Sequence, residues 1–429
     1  MYSNNSKNTI TKPKINNKET KITNYPITQI IQERKKNFKN IPIIEDKLDT
    51  NFFNQSFSTF LNSQSSTNNI NKTQIHTAMT NSFSKNQKKI IDTIMTNCSE
   101  SQYSFLEIDD NNQVIIEPNK FIVLISYRTE CHYKIFLNEL INKGSYNNIF
   151  SFSTDIDSIP DKKIILRVSN NKSTVDSINS ELKGIKIQYE LCTKSDNIGA
   201  VIDFGKIFNN TKNNKYKIQE YSIIQRYGIN LETVLRQSLF KPSYNTIIIF
   251  MKELLLTLQV IHNNNYAHLD LKPENILLKD IFNCKKKINK INFVIVDFGG
   301  AKKIKDDISR EINGQMASPA FSPPEILLYL FGKKSDIWAY GLICYLLCIN
   351  EDFTTSKLSK VFLGEDATTI QKKIYNEINN NLENKMNKLN LFYKKDDIKK
   401  LKSFFINIFN CDNNKRPNTH ELLNHVIFL

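Results

Sequence analysis

The sequence predicts an α+β chain of two lobes, β-rich first and helical afterwards, behind a disordered N-terminal tail. Three observations carry that expectation. Short apolar and β-branched runs follow one another from about His132 to Tyr227. Apolar positions at helical spacing dominate from Tyr244 onward. Residues 1–85 show neither pattern.

That first segment is rich in Asn, Ser, Thr and Lys, and its few apolar residues keep no sustained period. Such a composition buries too little surface to offset the entropy of ordering, so residues 1–85 are expected to be a disordered tail. Apolar density rises from Lys89 through IIDTIM, SFLEI, QVIIE and FIVLISY. These read as a short helix and strands in a flanking region, 86–133, whose role has no sequence signature. The runs YKIFLNELI, KIILRV, AVIDF and YSIIQRY follow as strands, with one helical pattern near residues 174–191. In the stretch Tyr244–His262, Ile247, Phe250, Met251, Leu254, Leu258 and Ile261 form a helical stripe. The run Ile337–Ile349 reads as a buried core helix, and Ile398, Leu401, Phe404, Phe405, Ile408 and Phe409 mark another helix. A final helix is expected at NTHE, where Asn418 can cap and Glu421 sits three residues on.

With 429 residues the chain is long enough for two lobes and extra segments. No apolar run approaches the ~18 residues that cross a bilayer, so no membrane is expected. The N-terminus has no apolar core of a secretory signal, so the expectation is an intracellular, cytoplasmic protein. Seven cysteines form no CxxC pair and read as reduced structural thiols. The net charge of +15 arrives with Asn and Ile throughout, without aromatics interleaved among arginines, so no nucleic acid partner is expected.

The chemistry concentrates in YAHLDLKPENILL, Tyr266–Leu278. It follows the long helical stripe directly and so forms a loop leading into a short strand. Asp270, Lys272 and Asn275 put a proton acceptor, a cation and a metal-binding amide on that one loop. Phosphoryl transfer asks for little more than an oriented hydroxyl, charge neutralisation and metal ions.

This segment resembles the catalytic loop of eukaryotic-type Ser/Thr protein kinases, and the resemblance covers roughly residues 135–429. It implies a bilobal protein-kinase-like fold, with a small lobe at about 134–227 and a large helical lobe at about 228–429. It implies a Ser/Thr protein kinase using ATP and Mg2+ on protein hydroxyls, with Asp270 accepting the hydroxyl proton and Lys272 touching the γ-phosphate. Asn275 would bind the metal, and His268 would be a structural hydrogen-bonding residue. Two Asp-Phe-Gly copies occur, at Asp203 and Asp297. In the family's order the metal-binding copy follows the catalytic loop, so Asp297 is the expected ligand and Asp203 a strand-end residue. Ser318 resembles the residue that contacts the catalytic aspartate, and Pro324-Glu325 the end of the activation segment. Asp336 in SDIWAYG resembles the residue that holds the catalytic-loop backbone, and Arg416 the ion-pair partner of Glu325.

The small lobe departs from the family pattern. The stretch NKGSYNNIF keeps only Gly144 of three glycines, with Asn142 and Asn147 in the outer positions and Tyr146 at the tip. Ile149 follows, and eighteen residues later Arg167 in IILRV stands where the family has a phosphate-pairing lysine. Its expected partner is Glu181, with Glu190 as the alternative, and Gln225 lies on the hinge-like IIQRYG. Leu269 replaces the arginine before the catalytic aspartate, and Gly314 stands at the usual activating phosphorylation position. A nucleotide-binding scaffold without phosphotransfer is the alternative these departures leave open. The Asn/Lys/Ile-rich style resembles kinases of giant DNA viruses, which would put the chain in a host cell or virion.

Overall fold

Eight strands share one sheet: β1 (Leu106–Ile108), β2 (Val114–Ile115), β3 (Ile122–Ser126), β4 (His132–Lys143), β5 (Asn147–Thr154), β6 (Ile164–Ser169), β7 (Val201–Thr211) and β8 (Lys215–Gln225). The computed structural model describes residues 106–108, 114–115, 122–127, 132–143, 147–154, 164–169, 175–211, 215–239, 243–282, 288–304, 309–310, 319–328, 330–352, 367–389 and 393–429. The expected tail, the IIDTIM run, Gly144, Tyr146, Gly314 and Ser318 lie outside these residues.

Antiparallel pairing runs β4–β5–β6–β8–β7, and β3 pairs with both β4 and β7. Six strands therefore close on themselves, which satisfies both edges that a five-stranded sheet would expose. Leu124, Ile135, Phe150, Leu166, Ile207 and Ile223 belong to the apolar core this ring encloses. The strand β3 comes from the flanking region, so the expected boundary at 133/134 falls inside one hydrogen-bonded sheet. At the β3–β7 contact, Ser126 pairs with Gly205, and a Cβ on Gly205 would sit 1.9 Å from the Ile125 carbonyl oxygen. Only glycine lets the two backbones approach so closely.

The helix α1 (Val175–Cys192) packs on β7 and β8 through Ile185, which meets Val201 and Phe204. After the hinge, α2 (Leu231–Arg236) starts at Asn230, whose side chain caps the Thr233 N–H. The long α3 (Tyr244–Asn263) is capped by Ser243 and buries Ile247, Phe250, Met251, Leu254, Leu258 and Ile261. By length and composition alone α3 is long and apolar enough to cross a membrane, contrary to the expectation that no apolar run reaches that length. Its inward stripe packs in the core of the large lobe while Lys252 and Glu253 stay exposed, the pattern of a core helix.

At the centre of that lobe, α4 (Lys333–Ile349) is buried from Lys334 to its last residue. Against it pack α3, α5 (Ala367–Lys388) and α6 (Lys395–Ile408), while α7 (Thr419–Leu423) packs on α3. The last helix has the expected capping box: Glu421 N–H donates to Asn418 Oδ1 at 2.9 Å, and Asn418 N–H to Glu421 Oε2 at 2.7 Å. A small β-rich lobe followed by a larger helical one is the predicted architecture. The described cysteines 192, 344, 348 and 411 are free thiols.

Candidate active site

The end of α3 feeds β9 (Tyr266–Ala267), a loop at 268–272, a 3-10 turn at Pro273–Asn275 and β10 (Ile276–Leu278). Antiparallel to β10 runs β11 (Phe293–Ile295), with Ile276 opposite Ile295. This hairpin brings Asp270 and Asp297 to one end, because each lies a few residues outside the same paired ends. The following β12 (Lys302–Lys303) returns to pair with β9 and closes the frame.

Asp336, 1% exposed at the start of α4, anchors the loop from below. Its Oδ2 accepts the His268 N–H and its Oδ1 the Leu269 N–H, both at 2.8 Å. His262 Nε2 donates to the same carboxylate at 2.9 Å, a partner that no sequence pattern marks. Leu269 has φ 62° and Asp297 φ 64°, left-handed conformations that cost a non-glycine residue about 1–3 kcal/mol. Two charge-assisted hydrogen bonds to Asp336 hold the first of these in place.

On the loop, Lys272 Nζ lies 2.8 Å from Asp270 Oδ2. Asn275 Nδ2 donates to the Asp270 carbonyl at 2.8 Å and to Asp270 Oδ2 at 3.2 Å. Both amide hydrogens are thereby spent on Asp270, which leaves the Asn275 oxygen for a cation. The Asn275 oxygen and the Asp297 carboxylate are the oxygen groups here that could hold a magnesium ion, whose remaining ligands would be water and phosphate. The buried His268 accepts from the Asp270 N–H through Nδ1 at 3.3 Å and directs Nε2 to the Val296 carbonyl at 3.3 Å. Its ring lies 4.7 Å from that of Phe298. Both nitrogens are thus used in hydrogen bonds to the backbone, as expected.

From the small lobe, Arg167 Nη2 reaches Glu181 Oε1 at 2.5 Å and Asp297 Oδ1 at 3.6 Å. Burial alone would lower the Arg167 pKa, but Glu181 and Asp297 outweigh it and raise it. Burial also raises Glu181, more than Arg167 lowers it. For Asp297, the raising effect of burial is outweighed, chiefly by the Arg167 guanidinium, which holds the carboxyl below its ordinary value. Glu190, the alternative partner, instead accepts from Tyr266 OH at 2.8 Å and pairs with Lys194 at 3.3 Å. Ile149 faces Arg167 across the β5–β6 ladder. Gln225 ends β8 at the hinge and its N–H donates to the Ala200 carbonyl at 3.0 Å.

Asp203 is not among these groups. It is 2% exposed near the start of β7, accepting from Ser126 Oγ at 2.6 Å and Tyr221 OH at 2.9 Å. Together with the tight approach at Gly205, this gives the first Asp-Phe-Gly a reason that belongs to the sheet. Farther down, Arg416 grips Glu325 with Nη1 at 2.7 Å and Nη2 at 3.0 Å, and its guanidinium lies 4.9 Å over the Trp338 ring. Lys334 donates to the Arg416 carbonyl, a contact no sequence pattern signalled. Two more unsignalled contacts join α1 to the second Asp-Phe-Gly: Ser180 Oγ donates to the Gly299 carbonyl at 2.7 Å, and Gly184 packs against Phe298.

Comparison with known proteins gives a family match, described as protein kinase domain, over residues 137–428. Human "Serine/threonine-protein kinase ULK1" is 29% identical over 186 residues, 43% of this chain and 16% of that protein. "Maternal embryonic leucine zipper kinase" of Danio rerio is 34% identical over 104 residues, 23% of this chain and 14% of that protein. Human "Death-associated protein kinase 2" is 37% identical over 99 residues, 23% of this chain and 25% of that protein. The chain therefore aligns with a quarter or less of the length of each of these relatives.

Proposed function

The chain belongs to the protein kinase domain family, and from that premise we propose that it transfers the γ-phosphate of Mg-ATP to serine or threonine hydroxyls of protein substrates. The observation that carries this reading is the cluster on one loop: Asp270 within 2.8 Å of the Lys272 ammonium and braced by the Asn275 amide. When bound, Mg-ATP supplies the charge-neutralised phosphoryl donor.

In this reading Asp270 orients the incoming hydroxyl and accepts its proton. Lys272 keeps that carboxylate in position and offers positive charge to the γ-phosphate. Asn275 and Asp297 would hold the metal, and Arg167 would meet the phosphates nearer the nucleoside while Glu181 fixes its guanidinium. Asp336 preserves the loop geometry these roles need, since transfer depends on placement to a fraction of an ångström. Ser/Thr specificity is supported by Lys272, two residues after the aspartate, and by the names of the relatives. An intracellular setting, where ATP is abundant, fits the same proposal.

The test is phosphate transfer from γ-labelled ATP to generic protein substrates, comparing wild type with Asp270→Asn. We expect the variant to lose about 10²–10⁴-fold in turnover while still binding ATP, the usual loss for a missing general base. Equal turnover in both proteins would sink the assignment of Asp270. No turnover in wild type, with ATP still bound, would favour the scaffold reading.

A further inference from the structure

Arginine in place of the phosphate-pairing lysine raises a geometric problem that the small lobe answers with a second residue. A lysine ammonium is a point charge that adapts to its acceptors, whereas a guanidinium is planar and offers its hydrogens in fixed directions. An arginine serving phosphate therefore needs its plane set as well as its charge placed.

Asn147 opens β5, two residues before Ile149, the ladder partner of Arg167. The period of two puts Asn147 and Arg167 on the same face of the sheet, diagonally adjacent. The Asn147 amide fits there one way round. With its oxygen toward the guanidinium it accepts from Arg167 Nη2 at 2.8 Å and from Nε at 3.2 Å. The same amide hydrogen-bonds the Glu181 carboxylate. One edge of the guanidinium is thus clamped by an amide and a carboxylate that also hold each other, with Asp297 at 3.6 Å. These contacts are made by Nη2 and Nε, so the Nη1 side of the guanidinium is the side turned away from the clamp.

We propose that Asn147 is a positioning residue for Arg167, setting the guanidinium plane so that its Nη1 side meets the nucleotide phosphates. This rests on the reading of the chain as an Mg-ATP-dependent kinase. It also gives a physical reason for two of the small lobe's departures, Asn147 in an outer glycine position and arginine for lysine: the two side chains form one unit.

The experiment is a double-mutant cycle on the full chain with Asn147→Ala, Arg167→Lys and both together. Affinities for Mg-ATP and for adenosine are measured by calorimetry, beside steady-state kinetics and thermal midpoints. With Arg167 present, Asn147→Ala should weaken Mg-ATP about tenfold, the scale of one lost hydrogen bond to a charged group, and leave adenosine affinity unchanged. In the Arg167→Lys background the same change should cost Mg-ATP affinity less than about twofold, because an ammonium needs no plane set.

Equal losses in the two backgrounds would overturn the proposal, as would no loss at all or a matching loss of adenosine affinity. Should Asn147→Ala unfold at the working temperature, Asn147→Ser carries the same expectations. A wild type that binds Mg-ATP without transferring phosphate, yet shows the coupled loss, refutes the kinase reading and keeps the Asn147–Arg167 unit. A wild type that binds no Mg-ATP refutes both.

Discussion

Gly184 of α1 lies directly against Phe298: a Cβ at Gly184 would meet the Phe298 carbonyl oxygen at 2.5 Å and the Gly299 nitrogen at 2.6 Å. One turn earlier, Ser180 Oγ donates to the Gly299 carbonyl at 2.7 Å. The helix that carries Glu181 is therefore seated on the backbone that carries Asp297, and both carboxylates converge on Arg167. Gly184→Ala must push the two apart against backbone atoms, which costs about 1–3 kcal/mol. We expect a rise in the KM for ATP, a fall in turnover of about tenfold or more, and faster amide exchange along α1. Unchanged kinetics would mean that the seating of α1 does not reach the site.

The two Asp-Phe-Gly copies give a paired test. Asp297→Ala should lower Mg-dependent transfer by about a hundredfold or more with little effect on the denaturation midpoint, because it removes charge from a site and not from a core. Asp203→Ala should do the reverse. It leaves the Ser126 and Tyr221 hydroxyls without this acceptor in a buried region, at about 1–3 kcal/mol for each such group. An inactive but stable Asp203→Ala protein would reverse the assignment.

What was legible in the sequence follows from the kind of constraint each part obeys. The catalytic loop was readable because its chemistry demands particular residue types within a few positions. Helices α3, α4 and α6 were readable because their buried stripes repeat locally. The closure by β3 was not, since ladder pairing over long range uses backbone groups that any sequence supplies. Helix α5 went unremarked inside an Asn-rich stretch, although Ile370, Ile374, Ile378, Leu382 and Met386 recur every four residues and are all buried. Glu181 and Glu190 competed because both lie on α1. Nine residues are two and a half turns, so they point to opposite sides, and only Glu181 meets Arg167. Asn147 sat in plain view as a missing glycine, and its amide gained meaning only beside Arg167.

Leu269 occupies the position where the family has an arginine, and it packs against an apolar cluster of Ala267, Ile304 and Phe331. A leucine there offers no charge to a phosphate on the activation segment. Phosphatase-treated protein should therefore keep its rate toward added substrate within about twofold, as read by mass spectrometry and initial rates together. A large loss that returns when the activation segment is rephosphorylated would refute this.

The last expectation concerns stability and pH. Glu220 of β8 is buried where the closing segment meets the sheet. Tyr127 OH donates to its Oε1 at 3.1 Å, while its buried Oε2 has no hydrogen-bond partner among the described residues. The groups around it are Tyr127, Lys206 and Lys186, with both ammonium groups over the Tyr127 ring at 5.5 and 5.7 Å. Burial raises the Glu220 carboxyl from 4.5 to about 7, against the pull of Lys206, the Tyr127 hydrogen bond and Lys186. A folded-state pKa above the unfolded one means that the folded protein holds the extra proton between those two values. The corresponding stability is fully present below pH 4.5 and is lost as pH rises through about 7. A shift of that size corresponds to about 3 kcal/mol. Glu220→Gln cannot ionise, so its stability relative to wild type should climb by up to that amount between pH 4.5 and pH 7.5 and then level off. Because the variant also strips Lys206 of a carboxylate, its absolute stability is the weaker readout and the pH slope the decisive one. Urea midpoints of both proteins across that range measure it, and parallel curves would show that Glu220 ionises as freely in the fold as outside it.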